Sequence, residues 1–464
     1  MAERVDRRDF LKTAAATTVG LAVGAAVPAA MASDPAEPPA GTGPSPAVPP
    51  RQGRSVAGLA GPKMDAVRIG VIGVGGRGSG DLGELLLMEG VEIRAICDVV
   101  EAKVAKAQDY VVRKGHPKPD GYSAGPEDYK KLCDRPDIDL VYIATPWRLH
   151  VPMCVEAMTK GKHAAVEVPA AVTVEECWQL VDTAEATQRH CMILENCCYS
   201  PEALMMLNLA RQGMLGELLY AEGGYIHDLR GELYSGRGEG LWRIDEHVNR
   251  NGNLYPTHGL GPIAQCLGIN RGDRFDYLTS MSTPSLGLQA YQPKVSDGSK
   301  WKHASFACGD FNTTLIKTAL GRVVNVQHDT SNPQPYSRID YLKGTKGIFH
   351  GYPDRIFIDG ISKDEDYGTM ADFAKYQHPL WTKLEAAAKK AGGHGGMDFV
   401  LNWRLIQCLR DGLPLDIDVY DTAAWSAVSP LSEQSVANRG APIDFPDFTR
   451  GGWKATEPLS VVSA

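Results

Sequence analysis

The stretch Val67-Arg68-Ile69-Gly70-Val71-Ile72-Gly73-Val74-Gly75-Gly76-Arg77-Gly78-Ser79-Gly80 decides the fold. An apolar strand runs straight into Gly73-x-Gly75-x-x-Gly78, and a second apolar run over 91–97 ends on Asp98. In this pattern the first glycine allows a tight turn. The second lets the backbone approach a pyrophosphate, and the third lets the helix pack on the strand. The pyrophosphate rests on the helix N-terminus, where free N–H groups point at it. A strand before the motif, a helix after it (81–88) and an acidic residue on the next strand all agree, so it reads as a dinucleotide site. The expected contacts in this loop are Gly73, Gly75, Gly76, Arg77 and Gly78. Asp98 is expected on the ribose hydroxyls. Val99 and Val100 follow it where an NADP site would carry arginine, which favours NAD.

Working outward, strand candidates at 67–72, 91–97, 140–144, 164–168 and 192–195 alternate with helices such as 151–160 and 174–188. That is a doubly wound parallel sheet. After residue 200 the pattern changes to longer alternating segments, at 218–227, 275–281, 305–318, 321–328 and 338–342. They predict an α+β domain with a large open, mainly antiparallel sheet. A helix over 397–410 stops at Asp411-Gly412. The expected organisation is 1–32 leader, 33–62 linker, 63–195 α/β Rossmann domain and 196–464 α+β domain. The C-terminal helices are expected to pack back on the Rossmann domain.

The chain has 464 residues, 43% of them hydrophobic, and a net charge of -8. That length suits two or three domains, and the acidic balance does not indicate a nucleic-acid surface. No internal stretch has the length and apolarity of a membrane span. Arg7-Arg8-Asp9-Phe10-Leu11-Lys12 precedes an Ala-rich run, and Ala30-Met31-Ala32 forms a small-x-small cleavage site. This predicts a twin-arginine export signal, hence the Tat translocation machinery as a partner and a periplasmic or otherwise exported location. Residues 33–62 are rich in Pro, Gly and Ala and read as a linker. Ten cysteines occur without a C-x-x-C pair, so buried thiols are expected and no metal site.

Two further motifs, Ala144-Thr145-Pro146-x-x-x-His150 and Glu167-x-Pro169, join the glycine fingerprint and Asp98 to bring in a resemblance. With them the chain resembles the Gfo/Idh/MocA oxidoreductases over about residues 65–440. That family carries a catalytic lysine in Glu-Lys-Pro, where this chain has Val168. The departures resemble one branch, the NAD-dependent glycoside hydrolases of family 109, known as alpha-N-acetylgalactosaminidases. The matching segments are Thr145-Pro146-Trp147-x-x-His150, Glu167-Val168-Pro169, Glu195-Asn196-Cys197-Cys198-Tyr199, Tyr255-Pro256-Thr257-His258 and Gly393-His394-Gly395-Gly396-Met397-Asp398. The resemblance implies that Thr145, Trp147, His150, Glu167, Val168 and Asn196 face the cofactor. It also implies that Tyr225, Arg243, Tyr255, Thr257, His258 and Tyr336 line a sugar site.

The implied chemistry is redox-neutral: oxidation at sugar C3, loss of the C2 proton, departure of the C1 substituent, water addition and re-reduction. NAD-dependent families are exceptions to the two-carboxylate scheme of most glycosidases. An exported enzyme without a soluble NAD pool suits a tightly bound, recycled cofactor. His258 and Tyr255 are candidates at the C3 hydroxyl, since histidine transfers protons near neutral pH and tyrosine does so only if its surroundings lower its pKa. Tyr199 or Tyr225 would handle the C2 proton. Two other readings stay open: a sugar or cyclitol oxidoreductase, and a non-catalytic sugar-binding protein that retains NAD. The open face of the second sheet offers a surface for a homo-oligomer.

Overall fold

The computed structural model describes residues 48–462. The leader expected at 1–32 and most of the linker lie outside the described residues. Six strands form the first sheet: β1 (Val67–Ile72), β2 (Val91–Cys97), β3 (Asp120–Tyr122), β4 (Leu140–Ile143), β5 (His163–Val166) and β6 (Cys191–Ile193). Their order is β3-β2-β1-β4-β5-β6, with every pair parallel. β4 and β5 are buried along their whole length, as strands covered by helices on both faces must be. Strand order reverses between β1 and β4, which opens a crevice at the carboxyl ends of the strands. Gly73 makes the turn there. Its φ is +87°, and a Cβ would stand 2.4 Å from the Ala144 carbonyl oxygen.

Eight strands form the second sheet: β7 (Leu218–Ile226), β8 (Phe275–Ser282), β9 (Asn312–Thr318), β10 (Val323–Asp329), β11 (Tyr341–Gly344), β12 (Gly347–Gly351), β13 (Asp354–Ile358) and β14 (Ile443–Asp444). The order is β13-β12-β11-β7-β10-β9-β8-β14. Only β7 and β10 pair in parallel, so the sheet is mixed but mostly antiparallel. Residues of β9 alternate strictly between buried and more open positions, the mark of one packed face. On that face the helix Thr257–Leu267 meets β7 backbone to backbone. A Cβ on Gly223 would lie 2.1 Å from the Gly259 carbonyl oxygen. This close approach sets His258 over the strand that carries Tyr225.

The C-terminal helices Met397–Asp411 and Val419–Ala437 lie against the first sheet and its helices. Tyr142 in β4 donates its hydroxyl to Asn402 at 3.1 Å, and the Ile193 amide of β6 donates to the Thr422 hydroxyl at 3.0 Å. Residues 48–62, which composition assigns to a linker, also lie on the fold. Arg51 pairs with buried Glu185, the Val56 amide donates to the Tyr420 hydroxyl, and Val56 is buried. A few anchored side chains outweigh a disorder-prone composition here. All ten cysteines are buried and unpaired. No helix among the described residues is long and apolar enough to cross a membrane.

Two histidines pack ring against ring at the amino end of the parallel sheet, tilted by 42° with centroids 4.8 Å apart. His163 begins β5, and its Nδ1 accepts the His190 amide at 3.1 Å. Burial lowers the His163 pKa from 6.5 to about 3 and the His190 pKa to about 4. The unfolded chain therefore binds protons below pH 6.5 that the folded chain refuses, so stability is full above that value and falls as pH drops. The slope is about 1.4 kcal/mol per unit for each fully neutral ring. Thermal unfolding followed from pH 7.5 to pH 5 should show a midpoint that falls below about pH 6.5, and His163→Gln with His190→Gln should lessen that fall without removing it, since buried His247 and His378 are held down in the same way, each to about 4.

Candidate functional site

The cofactor crevice begins at the helix Gly76–Leu85, whose first turn has no capping side chain. A Cβ on Gly76 would meet nothing within 4 Å, and one on Gly75 would meet only Lys103 Nζ at 3.9 Å. Open space above uncapped amides fits a pyrophosphate. Asp98 is fixed beside this loop: its two carboxylate oxygens accept the Val74 amide at 3.1 Å and the Val100 amide at 2.9 Å. Thr145 follows β4, and Glu167 and Val168 follow β5, so all three stand at the carboxyl ends of the sheet. These groups fit NAD, with the loop amides for its phosphates and Asp98 for the ribose.

Arg77 does something the fingerprint does not announce. Its guanidinium reaches Glu167 at 2.7 Å, Asp398 at 2.7 Å and Asp81 at 3.1 Å. Asp398 also takes His394 Nδ1 at 2.7 Å and the Asn196 side-chain amide. Burial pushes the Asp81 carboxyl well up, with Arg77 opposing. Burial and the nearby Asp398 raise Glu84 to about 7. One cation thus holds together the glycine loop, the end of β5 and the C-terminal helix. The side chain of Arg77 clamps these carboxylates, and Asn196 is fixed through the same cluster.

Beside the crevice lies an aromatic pocket. Tyr225 and Tyr255 rings are 4.5 Å apart, and His258 stands edge-on to both, at 5.2 and 4.9 Å. Trp147 packs on Tyr255 at 5.7 Å, and Tyr336 closes the opposite side, 6.3 Å from Tyr225. The Arg243 guanidinium lies 4.6 Å from the Tyr255 ring centre. Trp147, expected at the cofactor, therefore also walls the pocket. Thr257 is fully buried against the Glu195 carboxylate.

Two proton-handling pairs meet in this pocket. His258 Nδ1 lies 2.7 Å from Glu195 Oε1, and Glu195 is wholly buried. Burial opposes its charge, but His258, Thr257 and the Cys197 amide outweigh it, and its pKa falls below the usual carboxylate value. A buried carboxylate behind a histidine orients the ring and stabilises the imidazolium that forms on proton uptake. The second pair is Tyr225 and His227, with the phenol 3.1 Å from Nδ1. Burial raises Tyr225 to about 12, against the opposing Arg243, so its surroundings do not make it a phenolate. Burial, then Arg243 and His258, lower His227, which leaves it a neutral acceptor for the phenol proton. Glu195, Cys197 and His258 bring ligand-type atoms within 4.8 Å of one another. The Glu195–His258 bond joins two of them, and the Arg338 cation sits 3.6 Å from the Cys197 sulfur, a poor neighbour for a metal.

Tyr199 is corrected. Its hydroxyl donates to Asp416 at 3.4 Å, beside Arg404, and not to a group of the aromatic pocket. His150 is corrected too. The ring is fully enclosed between the carbonyls of Thr145 and Pro169, at 2.7 and 2.8 Å, so it braces two crevice loops from behind. Glu195 and His227 were missed as site residues. His227 follows Tyr225 by two on one strand, so strand periodicity could have found it. Glu195 lies 63 residues from His258, and no local pattern links them.

The parallel sheet, the glycine loop and the adjoining pocket define an NAD-binding enzyme built on an oxidoreductase fold. Residues 67–195 match the family described as "Oxidoreductase family, NAD-binding Rossmann fold", and residues 199–455 match "Glycosyl hydrolase 109, C-terminal domain". The chain belongs to glycosyl hydrolase family 109. Glycosyl hydrolase family 109 protein 1 of Shewanella sp. (strain ANA-3) is 49% identical over 442 residues, 94% of each chain. The family 109 protein of Shewanella amazonensis is 50% identical over the same share. Among solved structures, levoglucosan dehydrogenase in complex with NADH has a TM-score of 0.64 at 20% identity, covering 82% of this chain and 99% of its own. An inositol dehydrogenase homolog complexed with NAD+ from Azotobacter vinelandii scores 0.62 at 17% identity, covering 82% and 98%. These two show the shared fold.

Removing Arg77 tests the clamp. Arg77→Ala strands Glu167, Asp81 and Asp398 without their common cation, an uncompensated burial worth about 3–5 kcal/mol. Chemical denaturation should record that loss, and bound NAD measured by absorbance after desalting should fall with it.

Proposed function

We propose that this enzyme cleaves an N-acetylhexosaminide, in the manner of an alpha-N-acetylgalactosaminidase, through a redox-neutral cycle. The observation that carries the reading is the pair of separate proton relays, His258–Glu195 and Tyr225–His227, whose histidine and tyrosine rings meet at 5.2 Å. Oxidation of an alcohol needs one base. Elimination from the resulting ketone needs a second, acting on a different carbon.

When bound, NAD supplies a reversible hydride sink for sugar C3, so oxidation and re-reduction cancel within one turnover. His258 takes the C3 hydroxyl proton, with Glu195 holding the ring and balancing its charge. A C3 ketone acidifies the hydrogen at C2. Tyr225 accepts that proton as its own passes to His227, so the phenol works as a relay and never needs a lowered pKa. The C1 substituent leaves as its alkoxide and takes a proton from the water whose oxygen adds at C1 of the unsaturated ketone; the Tyr225–His227 relay, after exchange with solvent, reprotonates C2, and His258 returns its proton to the C3 oxygen. Tyr255, Tyr336 and Trp147 present ring faces to the sugar, and Arg243 offers donors to an oxygen. Val168, buried where dehydrogenases of this fold class carry a lysine, supports a route without an ammonium at that point.

The twin-arginine leader supports export through the Tat machinery to the periplasm, with NAD carried tightly bound and recycled. The open face of the second sheet exposes Met281, Leu315 and Tyr277 and supports a homo-oligomer.

Para-nitrophenyl alpha-N-acetylgalactosaminide should release nitrophenol without accumulating NADH, and solvent deuterium should enter C2 of the product. Steady NADH formation from free sugar would instead make the protein a net oxidoreductase. The two relays should separate in single-turnover experiments. His258→Ala should abolish the transient NADH absorbance. His227→Ala should keep it, lose C2 exchange and lower kcat by about 10²–10⁴-fold.

A further inference from the structure

Arg243 is the buried cation of the pocket, 4% exposed, with its guanidinium over the rings of Tyr255, Trp147 and Tyr225 at 4.6, 5.2 and 5.7 Å. Its donors are divided in a particular way. Nη1 donates to Glu239 Oε2 at 2.6 Å, whereas Nε and Nη2 are buried with no protein partner. Buried donors without partners carry a desolvation penalty that a ligand oxygen removes. Glu239 sits on the short turn Gly238–Leu241 and is partly open to solvent. It engages only Nη1 and leaves Nε and Nη2 untouched.

A bare guanidinium in an apolar pocket is a carboxylate receptor, because its planar fork matches two oxygens and a low dielectric magnifies the attraction. A guanidinium already paired with a carboxylate keeps the fork and loses the net charge. The geometry points to Glu239 as the residue that sets the charge preference of the pocket: it turns Arg243 into a neutral two-donor group that accepts hydroxyl or acetamido oxygens and refuses sugar acids. The Glu195 carboxylate behind His258 adds to the same bias, since it is another buried negative charge at the pocket wall. This inference rests on the reading of the pocket as a sugar site.

The test is calorimetric binding to the NAD-loaded protein, with three probes: acetate, N-acetylgalactosamine and its C6-oxidised uronic acid. The unmodified protein should bind the uronic acid at least tenfold more weakly than the neutral sugar and should show no saturable acetate site. Glu239→Gln keeps length and an acceptor for Nη1. It should gain saturable acetate binding and improve uronic acid affinity tenfold or more, with neutral-sugar affinity changed less than threefold. Glu239→Asp keeps the charge and should discriminate like the unmodified protein. Equal affinity of the unmodified protein for both sugars overturns the inference, whatever the variants do. So does a folded Glu239→Gln protein that gains neither acetate nor uronic acid. If neither sugar binds any form, the sugar reading fails, while the acetate arm still decides the role of Glu239.

Discussion

The architecture of the site depends on one half-buried cation shared among buried and nearly buried carboxylates. Arg77 leaves the cofactor loop and meets Glu167 from the end of β5 and Asp398 from the C-terminal helix. Those two partners lie 90 and 321 positions along the chain from Arg77. Taking so many carboxylates out of water is tolerable only while the cation stays. The crevice floor, the Rossmann loop and the far end of the chain are therefore one electrostatic unit. Asn196, bonded to Asp398, is placed by the same unit at the border between crevice and pocket.

The pocket is built on a second constraint, steric instead of electrostatic. Gly223 and Gly259 let a helix lie directly on β7. The residue before Gly259 is His258, and the residue two after Gly223 is Tyr225. Absence of two side chains thus brings two proton-handling groups within ring contact. Glu195, at the end of the first sheet, then reaches His258 across the domain border. The cofactor crevice and the aromatic pocket come from different sheets and meet at the Glu195–His258 bond.

Much of the first sheet was legible because its signals are local. β1 and β2 match their expected spans, since an apolar run bounded by glycine or aspartate has one simple reading. Weaker spans were displaced: the strand expected at 305–318 is only Asn312–Thr318, and the one at 338–342 is Tyr341–Gly344. β12 and β13 escaped notice because their short runs carry little periodicity. The parallel pairing of β7 with β10 is invisible to any alternation pattern, which shows that a face is buried but not which strand lies beside it.

The amino-acid sequence by itself determined the cofactor class, the two kinds of sheet and the aromatic, histidine and arginine residues of the pocket. These follow from backbone geometry and residue chemistry that act over a few positions. Only the tertiary structure decided which of those residues work together. It turned Tyr199 toward Asp416 and enclosed His150 between two carbonyls. It also set Glu195 behind His258 and paired Glu239 with Arg243. The physical reason is that ionisation, hydrogen-bond partnership and burial depend on neighbours in space, and most of these neighbours lie far apart in the chain.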